Sequence, residues 1–413
     1  MNVAELLSQQ DIMDRHWTFF LPAELLCRIF YFSLSTSPFN VLVDDEFGDI
    51  TLSLSLSKMT TPFTLGKVCR YWRYRAWHEP NLWNSVYLVA NPLKAAEQAT
   101  LLREWLLRAG ELPLSIDIDC SDDEDRKWTS DFAVKSLLIL EPIYEYSSRC
   151  ISFRTRLPPS CLLLPPRDLP IPDPTFSRLT TLEISPSNLQ EGVDDEEVED
   201  LDIVSVFQHS TQLRHLALWE LRNEQLDLPW TNLALTTIKT RTVSIYDCLV
   251  LLRNAPNVQE CEFMDVTLSE DTDAFHDHLV LPRLNALHLD FTQLGARDDF
   301  IFHHITAPSL RNLQYNSVEG RAFPLEAFQL FQQRSHCPLA SLEIRGPSMT
   351  AHDIRDCLSL VTQSLEQVLV EVRFTTNERI LSYKPVLNNH FPRMRAATFS
   401  APTSIIHALF PSP

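Results

Sequence analysis

One pattern of apolar positions recurs along the C-terminal part of the chain. It consists of an apolar residue, two others, an apolar residue, one other and a third apolar residue, and its clearest copy reads Leu179-x-x-Leu182-x-Ile184. The nine copies begin at Leu179, Leu213, Leu235, Val258, Leu284, Leu310, Leu339, Leu365 and Met394. Because side chains alternate between the two faces of a strand, the second and third apolar positions share one face. The pattern therefore predicts nine short strands.

The spacing of the copies predicts how these strands are connected. After a first interval of 34 residues, the copies follow one another at intervals of 22 to 29 residues. Short amphipathic helices are expected at Asp202–Ser210, Ser244–Asn254, Pro324–Arg334 and Thr350–Thr362. A helix–strand unit of this size cannot bury its apolar face alone, and stacking against a neighbour supplies the missing partner. The interval is typical of leucine-rich repeats, but the asparagine usual after the third apolar position is missing, so we expect an irregular array.

The residues between the apolar positions are the candidates for partner binding. The concave face of a stacked array is its usual binding surface, and alternation directs these side chains towards it. The residues nominated are His215, Trp219, Lys239, Arg241, Glu260, Glu262, Met264, His288, Asp290, Gln314, Glu343 and Arg345. Their mixture of charges favours a protein or peptide as the substrate rather than one small anion. The alternative is a solvated sheet face without a ligand.

The N-terminal part of the chain has a different organisation. Leu21–Phe30 places a proline at the start of an amphipathic helix, and Leu65–Ala76 reads as a second helix. Pro80–Trp83 follows as a turn with an aromatic anchor. A unit with two or three helices has a small core and leaves apolar surface available for a partner.

These N-terminal segments resemble the F-box family. The family signature L-P-x-E-[LI]-[LI]-x-x-I-F, V-C-[RK]-x-W-R and P-x-L-W is matched in order within residues 21–83. The resemblance implies that these helices bind the Skp-type adaptor of cullin–RING ubiquitin ligases. The adaptor-binding residues implied are Leu21, Pro22, Glu24, Leu25, Ile29, Phe30, Val68, Cys69, Arg70, Trp72, Leu82 and Trp83. The stretch between the first two motifs is longer than in the compact family form.

Together the repeats and the resemblance predict an α/β protein: a small N-terminal helical F-box and an irregular leucine-rich-repeat solenoid with a parallel β-sheet. The predicted parts are an extension (1–16), an F-box (17–90) with an inserted loop near 33–62, and a repeat domain (91–413) with acidic loops near 119–125 and 191–200. The expected function is substrate recognition in an SCF-type cullin–RING ligase. Two alternatives are a ubiquitin-independent interaction scaffold and a polysaccharide-cleaving enzyme on a solenoid.

Composition narrows the function classes further. Lys and Arg number 35 against 54 Asp and Glu, for a net charge of −19, which opposes binding to nucleic acid and to anionic membranes. The seven glycines lie too far apart for a phosphate-binding loop or a nucleophile elbow. The nine cysteines contain no C-x-x-C pair and suit a reducing compartment. We therefore expect a protein that is not an enzyme and has no cofactor.

Two histidine pairs are the only suggestion of a metal site. His276 and His278 form one pair, and His303 and His304 form the other, but no further ligand has a spacing that completes a set. We therefore expect no metal. The sequence also has no basic signal-peptide start and no apolar run near the ~20 residues of a membrane span. These features predict a cytoplasmic or nuclear protein.

Overall fold

The computed structural model describes residues 21–34, 61–120, 130–157, 174–185, 204–207, 209–219, 234–267, 275–291, 299–318, 321–361, 364–372, 380–383, 395–402, 405–406 and 409. The chain forms two compact units, Met1–Phe153 with Pro170–Pro172, and Arg154–Leu169 with Asp173–Pro413. The boundary predicted near residue 90 falls inside the first unit. The predicted extension (1–16), the acidic loop near 191–200, and most of the insert near 33–62 and of the loop near 119–125 lie outside the described residues.

The first unit combines helices with parallel strands. Its elements are α1 (Ala23–Ser33), α2 (Pro62–Gly66), α3 (Arg70–Trp77), a 3-10 turn (Pro80–Leu82), β1 (Ser85–Ala90), α4 (Ala95–Arg108), β2 (Leu114–Cys120), α5 (Ser130–Glu145) and β3 (Cys150–Thr155), whose last two residues belong to the second unit. Strands β1 and β2 pair in parallel, with Val86 opposite Ile116. Both of these side chains are buried, so this pair contributes to the core of the unit.

The helix predicted at Leu65–Ala76 is wrong in one respect, because the structure divides this segment into α2 and α3. Cys69 begins α3, and its Sγ atom accepts a hydrogen bond from the backbone N–H of Trp72 at 3.4 Å. Arg73 of α3 reaches back and donates from Nε to the carbonyl of Gly66 at 2.9 Å. A Cβ atom on Gly66 would overlap the ring of Trp77, so glycine allows the two helices to approach this closely.

An aromatic cluster forms the core beneath these helices. The rings of Phe63, Trp77 and Trp105 each lie 5.0–5.5 Å from the ring of Trp83 in edge-to-face arrangements. Trp83 is fully buried, and its Nε1 donates to the carbonyl of Ala76 at 2.7 Å. Aromatic pairs with this geometry stabilise a core beyond the area they bury. Trp83, which follows the 3-10 turn, is therefore the centre of this core.

The second unit is dominated by a parallel sheet. Its elements are β4 (Thr181–Ile184), a 3-10 turn (Val204–Phe207), β5 (His215–Trp219), β6 (Thr237–Arg241), α6 (Ile245–Asn254), β7 (Glu260–Met264), β8 (Leu279–Val280), β9 (Ala286–Phe291), α7 (Phe300–His304), β10 (Ile305–Thr306), β11 (Asn312–Ser317), α8 (Leu325–Ser335), β12 (Ser341–Gly346), α9 (Ala351–Ser359), β13 (Gln367–Val372), β14 (Ile380–Tyr383) and β15 (Ala396–Pro402). The strand order is β4-β5-β6-β7-β9-β11-β12-β13-β15-β14, in which only the last pair is antiparallel. Strands β8 and β10 form a separate parallel pair. The coarse prediction of an α/β fold with a large parallel sheet is confirmed.

The nine predicted strands are confirmed, and the apolar pattern also marks the register in which they pair. Each begins two residues after the start of a copy of the apolar pattern, as β4 does at Thr181 after Leu179. The second apolar positions pair directly across the sheet, beginning with Leu182 opposite Leu216. This row continues through Ile238, Cys261, Leu287, Leu313, Leu342, Val368 and Ala397. All these side chains are buried, so the repeated pattern specifies the buried face of the sheet.

A repeated backbone hydrogen bond joins each strand to the next. The carbonyl of Thr180, just before β4, accepts the N–H groups of both Arg214 and His215. The same pair of hydrogen bonds to one carbonyl oxygen recurs at the carbonyls of Arg214, Thr236, Gln259, Asn285, Arg311, Ala340 and Glu366. Equivalent residues of successive copies therefore stack in equivalent environments, as in quasi-one-dimensional repeat proteins.

The turns after several strands require unusual backbone conformations. Thr242 and Asp265 each follow their strand with a positive φ, +57° and +51°, and Gly346 occupies the same position of its copy at +90°. A Cβ atom on Gly346 would overlap the carbonyl oxygen of Ser317 on the neighbouring strand. Glycine at this position therefore allows both the left-handed turn and the close approach of two backbones.

Three of the four predicted helices of the second unit are confirmed as α6, α8 and α9. Ser244 begins α6, and its Oγ accepts the N–H of Asp247 at 3.1 Å. Thr350 and Asp353 form a complete capping box at the start of α9. The prediction at Asp202–Ser210 is wrong, because only the short 3-10 turn is present among its described residues.

Candidate functional site

Helix α1 presents apolar side chains on two faces. Leu26 and Phe30 are fully buried in the first unit, four residues apart on one face of the helix. Leu25, Ile29 and Phe32 lie on the other side with 47%, 43% and 78% of their surface exposed. Residues spaced by four and three positions are neighbours on a helix surface. The exposed face of α1 is therefore a continuous apolar stripe.

Helix α3 packs against the buried face of α1. The ring of Phe30 lies 4.8 Å from the ring of Trp72, which fixes α1 against α3. Val68, in the turn before α3, adds another exposed apolar side chain at 58%. We call Leu25, Ile29, Phe32 and Val68 the helical surface of the first unit.

The predicted adaptor-binding residues divide into three groups by burial. Phe30, Leu82 and Trp83 are buried and support the fold. Leu21, Cys69 and Trp72 are half-buried, and Pro22, Glu24, Leu25, Ile29, Val68 and Arg70 are exposed. Sequence analysis did not nominate Phe32, although its spacing of three residues from Ile29 continues the helical pattern beyond the motif.

All the nominated residues of the sheet lie on its strands, at positions that alternate with the buried row. A groove with a volume of about 330 Å³ crosses β6, β7, β9, β11 and β12 on this face. Its lining includes Lys239, Glu260, Glu262, His288, Gln314 and Glu343. Thr237, Asn312 and Ser341 complete its polar lining. The groove lies where Ala286, a small side chain, stands between Glu260 and Asn312 in the strand register.

Three of the residues that line the groove form a charged cluster. The Nζ atom of Lys239 lies 2.6 Å from Oε2 of Glu262, and Nδ1 of His288 lies 3.7 Å from Oε1 of the same carboxylate. These three residues stand directly opposite one another on β6, β7 and β9. His288 and Lys239 lower the pKa of Glu262 to about 2, against burial, which raises it. Because 3.7 Å is longer than an ordinary hydrogen bond, we attribute more of this effect to Lys239 than to His288.

Two arginines near the ends of their strands also form ion pairs. Arg241 donates from Nε to Oδ2 of Asp265 at 2.7 Å. The Nε atom of Arg345 lies 2.5 Å from Oε1 of Glu343. That oxygen is buried and accepts no hydrogen bond from the described residues, so the contact is an ion pair. The cations on this face are therefore already neutralised by carboxylates of the same unit.

The remaining nominated residues lie outside the groove lining. His215 is exposed at the start of β5, and Met264 is half-buried at the end of β7. Trp219 donates from its indole Nε1 to Glu183 at 3.2 Å. Asp290 accepts a hydrogen bond at 3.3 Å from Asn316, which also lies 3.2 Å from the ring of His288.

Sequence analysis missed several polar residues of this face, among them Glu183, Asn316, Glu371 and the groove residues Thr237, Asn312 and Ser341. Glu183 accepts the hydrogen bond of Trp219 and lies 3.4 Å from Nε of Arg154. Asn316 joins Asp290 and His288. The missed residues alternate with the buried residues of their strands, so the rule that nominated the other residues of this face would have identified them as well.

Comparison with known proteins found no matching family model and no matching curated protein.

The histidine pairs participate in hydrogen bonds within the described structure. His278 Nε2 lies 2.7 Å from Oγ1 of Thr306, and His304 Nδ1 lies 2.9 Å from the carbonyl of Asp277. Among the described residues, no group of three or more His, Cys, Asp or Glu side chains is arranged to hold a metal ion. Within the same residues, no helix has the length and apolar character needed to cross a membrane.

Proposed function

We propose that this protein is a substrate-recognition subunit of an SCF-type cullin–RING ubiquitin ligase. The helical surface of the first unit would bind a Skp-type adaptor, and the sheet face of the second unit would bind a protein target. The chain itself would contribute no catalysis. By holding the target close to the transferring enzyme, it would raise the effective concentration of the target.

The exposed apolar side chains of α1 carry this proposal. Soluble proteins seldom leave a continuous apolar stripe in water, and such a patch commonly marks an interaction site. Leu25 and Ile29 are exposed within the first F-box motif, while Leu26 and Phe30 of the same motif are buried. This division supports a helix that uses one face to fold and the other to bind a partner.

The second unit supports the part of the proposal that concerns target binding. The equivalent carbonyl bonds and the in-register apolar rows are the features expected of stacked leucine-rich repeats. We therefore propose that the second unit is an irregular leucine-rich-repeat solenoid. A groove lined by both charged and neutral polar side chains suits a polypeptide, which offers backbone and side-chain partners together.

We also propose that the protein acts in the cytoplasm or the nucleus. Seven cysteines whose side chains the structure describes are free thiols, and five of them are buried. Burial raises the pKa of Cys150 to about 12 and that of Cys337 to about 11. Thiols of this kind suit a reducing compartment.

Co-purification with a Skp-type adaptor tests the proposal. The structure favours the variant Ile29→Asp/Val68→Asp, because both side chains are exposed and their replacement leaves the core intact. Leu107→Asp is the matched control, since Leu107 is 67% exposed on α4 of the same unit. Wild type and the control should form a stoichiometric complex, and the double variant should lose it while keeping its thermal unfolding midpoint.

Two outcomes would lead to other conclusions. If folded wild type forms no adaptor complex, the ligase-receptor function is wrong. If the adaptor complex forms but does not join a cullin–RING enzyme, the protein would instead be a scaffold that uses its F-box independently of ubiquitin.

A further inference from the structure

The sheet face of the second unit carries more negative than positive charge. On the alternating positions of its strands, the described carboxylates are Glu183, Glu260, Glu262, Asp290, Glu343 and Glu371. The described cations at these positions are Lys239, Arg241 and Arg345, and Arg154 at the end of β3 is ion-paired with Glu183. Because the whole chain has a net charge of −19, the surrounding field adds to this local excess of negative charge.

The cations of this face form ion pairs, whereas one carboxylate of the groove does not. Lys239, Arg241 and Arg345 are ion-paired with Glu262, Asp265 and Glu343. The side chain of Glu260 is exposed, and its carboxylate forms no ion pair or hydrogen bond with the described residues, while its backbone N–H donates to the carbonyl of Thr236. A phosphate or another anion would therefore compete for cations that are already neutralised, whereas a cation would find a free carboxylate.

Neutral hydrogen-bonding groups lie beside Glu260 in the groove. Asn312 and Gln314 of β11 and Ser341 of β12 line it with amide and hydroxyl groups, and Ala286 leaves space next to Glu260. Amide and hydroxyl side chains can bond both the N–H groups and the carbonyls of an extended backbone. The groove thus offers partners for a polypeptide backbone beside a site for one cationic side chain.

We propose that this groove recognises a basic, extended segment of the target and that Glu260 binds a lysine or arginine side chain of that segment. This inference rests on the proposed function, because it assigns a chemical class to the target held by the sheet face. An arginine could bond the carboxylate through two N–H groups at once.

Peptide binding to the full chain, without adaptor, tests the inference. The probes are three fluorescein-labelled peptides that share the same serine and glutamine residues. They differ only at a fixed set of positions, which carry arginine, uncharged citrulline or glutamate. Binding is followed by fluorescence anisotropy at physiological ionic strength. We expect the arginine peptide to bind about tenfold more tightly than the citrulline peptide, as for a close charge pair at an interface.

Two charge-reversal variants distinguish the groove from the general negative field. Glu260→Lys should weaken binding of the arginine peptide about tenfold, because it replaces the attractive charge with a repulsive one. Glu326→Lys changes the net charge equally on an exposed position of α8, and it should weaken binding less than about twofold.

The inference would be overturned if the arginine peptide did not bind, if the citrulline or glutamate peptide bound as tightly, or if both variants weakened binding equally. The adaptor assay remains independent of these results. If the chain binds the arginine peptide through Glu260 but binds no adaptor, the groove specificity is supported and the proposed ligase function is wrong.

Discussion

The aromatic rings of Phe30 and Trp72 lie 4.8 Å apart and hold α1 against α3. This contact relates the buried face of α1 to its exposed face, because buried Phe30 adjoins exposed Ile29 on the same helix. The helical surface depends on the packing beneath it, and the two roles can be separated by mutation.

Phe30→Ala should lower the free energy of unfolding of the first unit by about 3–5 kcal/mol, since it removes a fully buried ring. Trp72→Phe should cost less than about 1.5 kcal/mol, because the indole Nε1 is buried without a hydrogen-bond partner among the described residues and the ring contact is retained. Chemical denaturation monitored by tryptophan fluorescence measures both. Equal costs for the two variants would contradict the assigned packing.

Gly346→Ala should destabilise the second unit by more than about 2 kcal/mol, because the new Cβ overlaps the Ser317 carbonyl at a positive φ. Gly110→Ala is the matched control. Gly110 also has a positive φ, +59°, but no atom lies within 4 Å of the added Cβ. It should therefore cost only about 1–2 kcal/mol from backbone strain. Hydrogen exchange of each unit would detect the difference, and a smaller effect at Gly346 would refute it.

The two helix caps of the second unit should differ in strength. Thr350→Ala should cost about 1 kcal/mol, the usual value for an exposed cap. Ser244→Ala should cost about 2 kcal/mol, because Ser244 is fully buried and its Oγ lies 2.5 Å from Oδ2 of Asp247. Urea unfolding of the two variants compares them directly. Ser244→Gly would show whether the loss comes from the hydroxyl alone.

Lowering the pH should destabilise the folded sheet, because Glu262 becomes protonated. Its pKa in the folded protein is lowered from 4.5 to about 2, so the folded state binds this proton less readily than the unfolded state. The stability that Glu262 contributes is therefore complete above about pH 4.5 and is lost as the pH falls towards 2. Lys239→Gln should raise the pKa of Glu262 and so narrow the pH range over which this stability is lost.

Carboxyl NMR of the labelled protein measures this pKa directly. Lys94→Gln removes an exposed lysine of the first unit and serves as the control. An unchanged pKa of Glu262 in Lys239→Gln would assign the shift to His288 instead.

The sheet residues could be predicted because strand geometry is local. Alternation along a strand follows from backbone geometry, so His288 and Gln314 were placed on the exposed face by their positions alone. The groove could not be predicted in the same way. It depends on which side chains stand opposite one another across strands, such as Ala286 between Glu260 and Asn312.

The N-terminal helices show the limit of pattern analysis more clearly. Leu25 and Leu26 are adjacent and equally apolar, yet one is 47% exposed and the other is fully buried. The helical pattern also runs without a break from Leu65 to Ala76, although Cys69 begins a new helix. Both outcomes depend on what packs against the helix, which is Trp72 for α1 and Trp77 for α2.

The sequence by itself determined where the nine strands lie and which of their side chains are buried. It could do so because a short apolar pattern repeated at near-regular intervals allows the same backbone register at every copy. Only the tertiary structure decided which apolar residues of α1 remain exposed, and which carboxylate of the groove lacks a partner. Those properties arise from contacts between residues far apart in the chain, and the local pattern carries no information about them.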